Sequence, residues 1–281
     1  MTVSMRTASF GVAKSLFAAM TAVLFLVCLP RTAQADTLQC TNGCSELFQG
    51  LYWTTVQVQP AGTGVIDSFL RIQHTTVEEG MNTDFRPLAH DEKTDPNYTR
   101  DIQLGEIRQV TMDDGVTYYE LLLDINEPSG GAQSLISLIG LKLCTSPTGL
   151  QYNEAGGGCT EAGAPQVENY NLDATGNHRV ELDFDYLGTG SGGSDMFVYV
   201  PVTLLGSDPT TYLYLWSQFG RLVNGESKSQ DGYEEWAAII GTGDTPLPNP
   251  SVPEPASLIL LGTGLAIAGV RFRRGRPRPR A

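Results

Sequence analysis

Residues 180–187 read Val-Glu-Leu-Asp-Phe-Asp-Tyr-Leu, a strict alternation of apolar and acidic side chains. Successive side chains of an extended strand point to opposite faces. This stretch is therefore expected to bury Val180, Leu182 and Phe184 and to hold Glu181, Asp183 and Asp185 in water. A helix would spread the same residues around its axis, so the pattern specifies a half-buried strand. Strand-like runs recur at residues 52–58, 65–73, 102–111, 116–125, 135–143, 195–205, 211–219 and 233–240. Met112-Asp113-Asp114-Gly115 joins two of them, and an Asp-Gly pair in that position is a strong hairpin signal. Residues 78–100 are polar and read as a long loop. Few stretches show a helical period, and neither an internal repeat nor a second domain is visible. The expected fold is all-β, an antiparallel β-sandwich or jelly roll over residues 36–240.

The two ends carry different instructions. Arg6 and Lys14 precede an apolar stretch at residues 16–29, and Ala33-Gln34-Ala35 offers small residues where a signal peptidase reads. Residues 1–35 are therefore expected to be a secretory signal peptide, helical and removed between Ala35 and Asp36. Cys28 lies inside it, and Leu26-Val27 before it lacks the small residue a lipid-modified cysteine requires. At the other end, residues 241–251 form a Gly/Pro-rich linker that lifts the domain off a membrane. Val252-Pro253-Glu254-Pro255 follows, then an uncharged apolar run at residues 256–270, then Arg271, Arg273, Arg274, Arg276, Arg278 and Arg280. As a transmembrane helix the run is about 22 Å long, short of a ~30 Å hydrocarbon core. Phe272 and snorkelling arginines extend it, and the arginines hold the C-terminus on the cytoplasmic side. Pro253 and Pro255 keep the helix from running back into the body.

This three-part tail resembles the PEP-CTERM sorting signal of Gram-negative bacteria, on Val252–Pro255, the apolar run and the arginine cluster. The resemblance covers about the last thirty residues, 252–281. It implies a substrate of exosortase, an integral-membrane cysteine protease-transpeptidase that acts at the Pro-Glu-Pro motif. It also implies an association with exopolysaccharide and biofilm. The catalytic groups then belong to the sorting enzyme and not to this chain. Stretches of the body, among them Asp195-Met196-Phe197-Val198-Tyr199-Val200-Pro201 and Gly232-Tyr233-Glu234-Glu235-Trp236, are similar to other PEP-CTERM proteins of unknown function. That similarity brings no activity with it.

Charge narrows the partners. Nine of the 18 Lys+Arg lie in the two ends, whereas all 31 Asp+Glu lie between residues 36 and 254. Nine bases against 31 acids leave the exported body at −22. So acidic a surface argues against nucleic acid and against anionic lipid. Four cysteines remain in the body, and an even number in an exported chain reads as disulfides. Cys40–Cys44 and Cys144–Cys159 are the preferred pairs, because each brackets a local turn. The alternative, a zinc site, fits this spacing poorly.

No catalytic constellation stands out. His74, His90 and His178 have no second histidine at metal-ligand spacing, and Gly188–Ser194 lacks the lysine of a phosphate loop. Carboxylate pairs at glycosidase separation are easy to imagine among 31 acids and discriminate nothing. Calcium is the sharper expectation. Asp124 and Asn126 lie at a strand end beside Glu127, and Asp183, Asp185 and Asp195 gather around a Gly-rich turn, all hard oxygen ligands in loops. An exposed acidic strand face explains the same residues. Trp53, Trp216, Trp236, Tyr118 and Tyr119 are candidates for a sugar-stacking platform, against the alternative of core packing.

The sequence is therefore read as an exported, non-enzymatic surface or matrix protein. Its expected partners are signal peptidase, an exosortase-type enzyme, the inner membrane in passing and an extracellular polysaccharide. The alternative is a calcium-assisted carbohydrate-binding module.

Overall fold

The computed structural model describes residues 35–55, 66–150, 166–187, 196–220 and 232–239. The chain separates into two units, Met1–Gln34 and Ala35–Ala281, and every described residue belongs to the second. Fourteen strands make two sheets among the described residues. The first sheet holds β1 (Thr37–Gln39), β5 (Glu78–Met81), β6 (Ile102–Gln103), β9 (Leu135–Ser146), β10 (Val167–Asn171), β11 (Arg179–Asp183) and β13 (Tyr212–Gly220). Its order is β1-β11-β9-β13-β5, with β10 also on β9 and β6 also on β13. The second holds β2 (Ser45–Phe48), β3 (Leu51–Thr54), β4 (Ile66–Ile72), β7 (Gln109–Thr111), β8 (Thr117–Asp124), β12 (Met196–Pro201) and β14 (Glu234–Ile239). Its order is β2-β3-β12-β8-β14-β4, with β7 also on β8.

Period-2 alternation builds the core between them. Tyr119, Leu121 and Leu123 of β8, Met196, Val198 and Val200 of β12, and Trp236 and Ala238 of β14 belong to one buried cluster. Leu141 and Leu143 of β9, Leu213 and Leu215 of β13, and Val180 and Leu182 of β11 complete it from the first sheet. Burying each such leucine stabilises the fold by roughly 1.5–3 kcal/mol before the loss of conformational freedom is counted. Many of the intervening residues are apolar too. Tyr118, Leu122, Phe197 and Tyr199 form a second buried cluster, and Tyr214 and Trp216 join Met81, Cys144 and Leu150 in a third.

The observed sheets are mostly antiparallel with few helices, as expected, but one pair departs from the expectation. β1 runs parallel to β11, with Leu38 opposite Val180. Nothing in these strand orders singles out a jelly roll. The Asp-Gly hairpin is present: Met112 N–H donates to the Val116 carbonyl at 3.0 Å, and Gly115, at φ 78°, donates back to Met112 at 2.9 Å. The alternating run ends early. After Asp183 the chain turns into a short helix, Phe184–Leu187, and Tyr186 is 56% exposed. The cause is local, since the Asp183 carboxylate accepts the Asp185 N–H at 3.1 Å and offers the backbone an alternative to the sheet. Residues 102–111 are likewise split by a 3-10 turn, Leu104–Glu106, where the Glu106 carboxylate accepts the Gln103 N–H at 2.7 Å.

The polar stretch 78–100 is not all loop. Glu78–Met81 forms edge strand β5 on β13. A side chain at Gly80 would meet Ile72 at 2.5 Å and Glu92 at 2.7 Å, so this strand needs glycine for close approach. No described helix is long and apolar enough to cross a membrane. The expected signal helix, the linker, the C-terminal span and its arginines lie outside the described residues.

Candidate functional site

Asp124 ends β8, and its Oδ2 accepts the Asn126 amide at 3.3 Å, while the same amide donates to the Tyr233 carbonyl at 3.1 Å. Asp183 accepts the Ser134 hydroxyl at 2.6 Å, and Asp185 accepts the Gly130 N–H at 3.0 Å. Those two aspartates thus fasten the turn before β9 to the end of β11. The structure does not bring them into one group with Asp124, and Asp195 lies outside the described residues.

Among the described residues, the carboxylates that gather are Glu78, Glu127 and Glu234. Glu234 opens β14 on the same side as Trp236 and Ala238, so the alternation of the strand points it toward the core. Glu78 opens β5 directly opposite the core residue Phe219, so it shares the inward face. Glu127 follows β8, which pairs with β14. The first sheet thus supplies one glutamate and the second sheet two. One oxygen from each lies within 4.8 Å of the other two. Glu78 and Glu234 are 0% exposed and Glu127 is 4% exposed.

The surroundings fix this geometry. Glu78 Oε2 accepts the His74 backbone N–H at 2.8 Å. Asn126, next to Glu127, packs so close to Gly232 that a Cβ there would fall 1.3 Å from the Asn126 carbonyl oxygen. Trp236 Nε1–H donates to Ser217 Oγ at 3.0 Å and ties β14 to β13 beside the cluster. Neighbouring Glu235 points to the other face, where it pairs with Arg71, whose guanidinium lies 3.5 Å from the Tyr98 ring centre. Neither oxygen of Glu234 receives a hydrogen bond of good geometry. Burial, above all, pushes Glu234 well above the ordinary carboxylate range, and Glu78 and Glu127 add to it. The Asn126 backbone opposes the shift. With no solvent-facing side, the cluster cannot receive a sugar chain. Its chemistry is to hold positive charge, as a proton or as an ion.

The aromatic platform does not form. Trp53, Tyr119 and Trp236 are 0% exposed, Tyr118 6% and Trp216 8%, so their rings pack inside the domain. His178, read as one of three isolated histidines, is buried at 2% and accepts the Asp36 N–H through Nδ1 at 3.0 Å. Cys40–Cys44 is a disulfide as expected. Cys144 is disulfide-bonded as well, to a partner outside the described residues, where Cys159 also lies. Glu78 and Glu234 escaped the sequence reading. The available signal was Glu234 itself, a charge on the same face as the apolar Trp236 and Ala238.

A mostly antiparallel β domain carrying disulfides is a build suited to an exported protein. The tail is more specific: it matches the family model of the PEP-CTERM protein-sorting motif over residues 251–274. The chain thus carries a sorting motif that implies export and handling by exosortase-type machinery. No curated protein and no solved structure gives a significant match to the chain.

Proposed function

We propose that this chain is an exported, non-enzymatic surface or matrix protein, cleaved after Ala35 and sorted through its C-terminal tail. The match of residues 251–274 to the sorting motif carries the reading. In this scheme the apolar run holds the chain in the inner membrane while the exosortase-type enzyme acts within Val252–Pro255. The body then stays at the cell surface or in an exopolysaccharide matrix. Its net charge of −22, from nine bases and 31 acids, keeps it soluble there. Cleavage after Ala35 leaves Asp36 as the first residue. Its nitrogen already sits 3.0 Å from His178 Nδ1, one residue before β1, so the new N-terminus is held against β11.

The test is an intact mass, with C-terminal peptide sequencing, of the protein recovered from its host. The expected chain starts at Asp36 and ends within Val252–Pro255. A mature chain that still carries Arg271, Arg273, Arg274 and Arg276 contradicts the processing scheme and makes the tail a permanent anchor.

A further inference from the structure

We propose that Glu78, Glu127 and Glu234 form a calcium site that joins the two sheets. Three carboxylates in one buried pocket repel one another, and transfer of a charge out of water is costly without a counter-charge. An acidic cluster alone is no evidence for an ion. The further observation is Glu234, which is wholly buried, carries two oxygens without a well-formed hydrogen bond, and points at the other two glutamates. A buried carboxylate whose one close donor is the Asn126 backbone, with two further glutamates beside it, is explained by a ligand that is itself positive.

The chemistry of the set selects the ion. The three side chains that gather offer oxygen only, and His74 contributes its backbone N–H to Glu78. Zinc and copper prefer nitrogen and sulfur, whereas carboxylate sets suit magnesium, calcium or manganese. Two oxygens on one calcium ion, each at roughly 2.3–2.6 Å, are at most about 5 Å apart. The observed limit of 4.8 Å among the three ligating oxygens meets that condition without rearrangement. Magnesium binds at about 2.0–2.1 Å and gives up its water reluctantly, so a buried pocket disfavours it. Three carboxylates offer up to six oxygens in bidentate mode, within the range calcium accepts. A bound ion would then staple edge strand β5 to β14 and to the segment after β8.

Thermal unfolding of the full-length chain in detergent, stripped with chelator and titrated with calcium chloride, tests this. Binding to the native state alone must raise the melting temperature. At roughly 100 times the dissociation constant the expected rise is about 5–10 °C. Terbium added in place of calcium is expected to give sensitised luminescence from Trp236, and calcium to displace it. Glu234→Gln keeps the shape and removes the charge, so it should fold, melt at or above the chelated parent, and lose both the calcium rise and the terbium signal. Asp183→Asn, outside the cluster, should keep both. No calcium-dependent rise in the parent overturns the proposal, and so does an undiminished rise in Glu234→Gln. Should Glu234→Gln fail to fold, terbium luminescence of the parent still decides, because absence of a calcium-displaceable signal overturns it. None of these outcomes depends on where the tail is cut.

Discussion

Glu120 and Glu234 sit on adjacent strands of one sheet, both 0% exposed, yet the fold treats them differently. Glu120 Oε1 accepts the Tyr199 hydroxyl at 3.0 Å, and Arg108 Nε lies 3.6 Å from its other oxygen. Burial raises its pKa, but Arg108 and Tyr199 pull it back. Glu234 has Glu78 and Glu127 as its neighbours, and both push in the same direction as burial. Glu120 has a hydroxyl donor on one oxygen and a guanidinium near the other, although Oε2 receives no well-formed hydrogen bond. Glu234 has only the Asn126 backbone to offset two acidic neighbours, and a bound cation is its proposed completion. That difference separates a structural acid from a ligand, and composition does not reveal it, because both are glutamates in apolar strands.

The most disruptive way to break the comparison is Gly232→Ala. The added Cβ would lie 1.3 Å from the Asn126 carbonyl, so the backbone beside Glu127 must move. The expected loss is about 3 kcal/mol or more, at the upper end of overpacking effects, and calcium should no longer raise the melting temperature. Arg108→Met makes Glu120 resemble Glu234 by removing its cation. Chemical denaturation should show a loss of about 2–3 kcal/mol at neutral pH, below the value for a fully enclosed pair because Arg108 is 22% exposed. The sign of its pH dependence follows from linkage. A carboxyl whose folded pKa lies above its unfolded one favours the native state most below the unfolded value, near 4.5, and loses that contribution as pH rises through the folded value. The deficit of Arg108→Met should therefore shrink on acidification toward 4.5, and a deficit that does not change with pH would assign Arg108 to packing alone. Ser217→Ala sharpens the comparison at the smallest scale. It orphans the Trp236 indole N–H beside the glutamate cluster, and a loss of about 1–2 kcal/mol is expected with and without calcium.

Much of the body was legible from period and turn chemistry. Strands β4, β8, β12 and β14 fall within the strand-like runs of the sequence, β13 and β9 run one and three residues past theirs, and Met112–Gly115 closes its hairpin. What escaped was short or locally overridden. β1, β2 and β10 have three to five residues, too few for a period to show. β5 contains Glu-Glu-Gly-Met, which reads as loop until Ile72 and Glu92 are seen to require its glycine. The helical turn after Asp183 arises from a side-chain bond that no alternation encodes.

The functional residues divide the same way. The sorting tail is contiguous, so its three parts can be read in order. The acidic cluster is assembled from positions 78, 127 and 234, brought together by the pairing of β5 with β13, of β14 with β8, and by the packing of the two sheets over a shared core. Glu127 drew notice beside Asp124 and Asn126, but for an ion expected at those two residues. The aromatics chosen for a sugar platform failed for a related reason, since alternation marks two faces and does not say that both are covered.

Anomalous diffraction at a wavelength sensitive to calcium, from crystals of the mature protein grown with calcium chloride, tests the contrast between the two glutamates most directly. The account predicts one anomalous peak within about 2.3–2.6 Å of oxygens from Glu78, Glu127 and Glu234, and none at Glu120. A cluster held together by a carboxyl–carboxylate hydrogen bond, with no peak between the sheets, would contradict it.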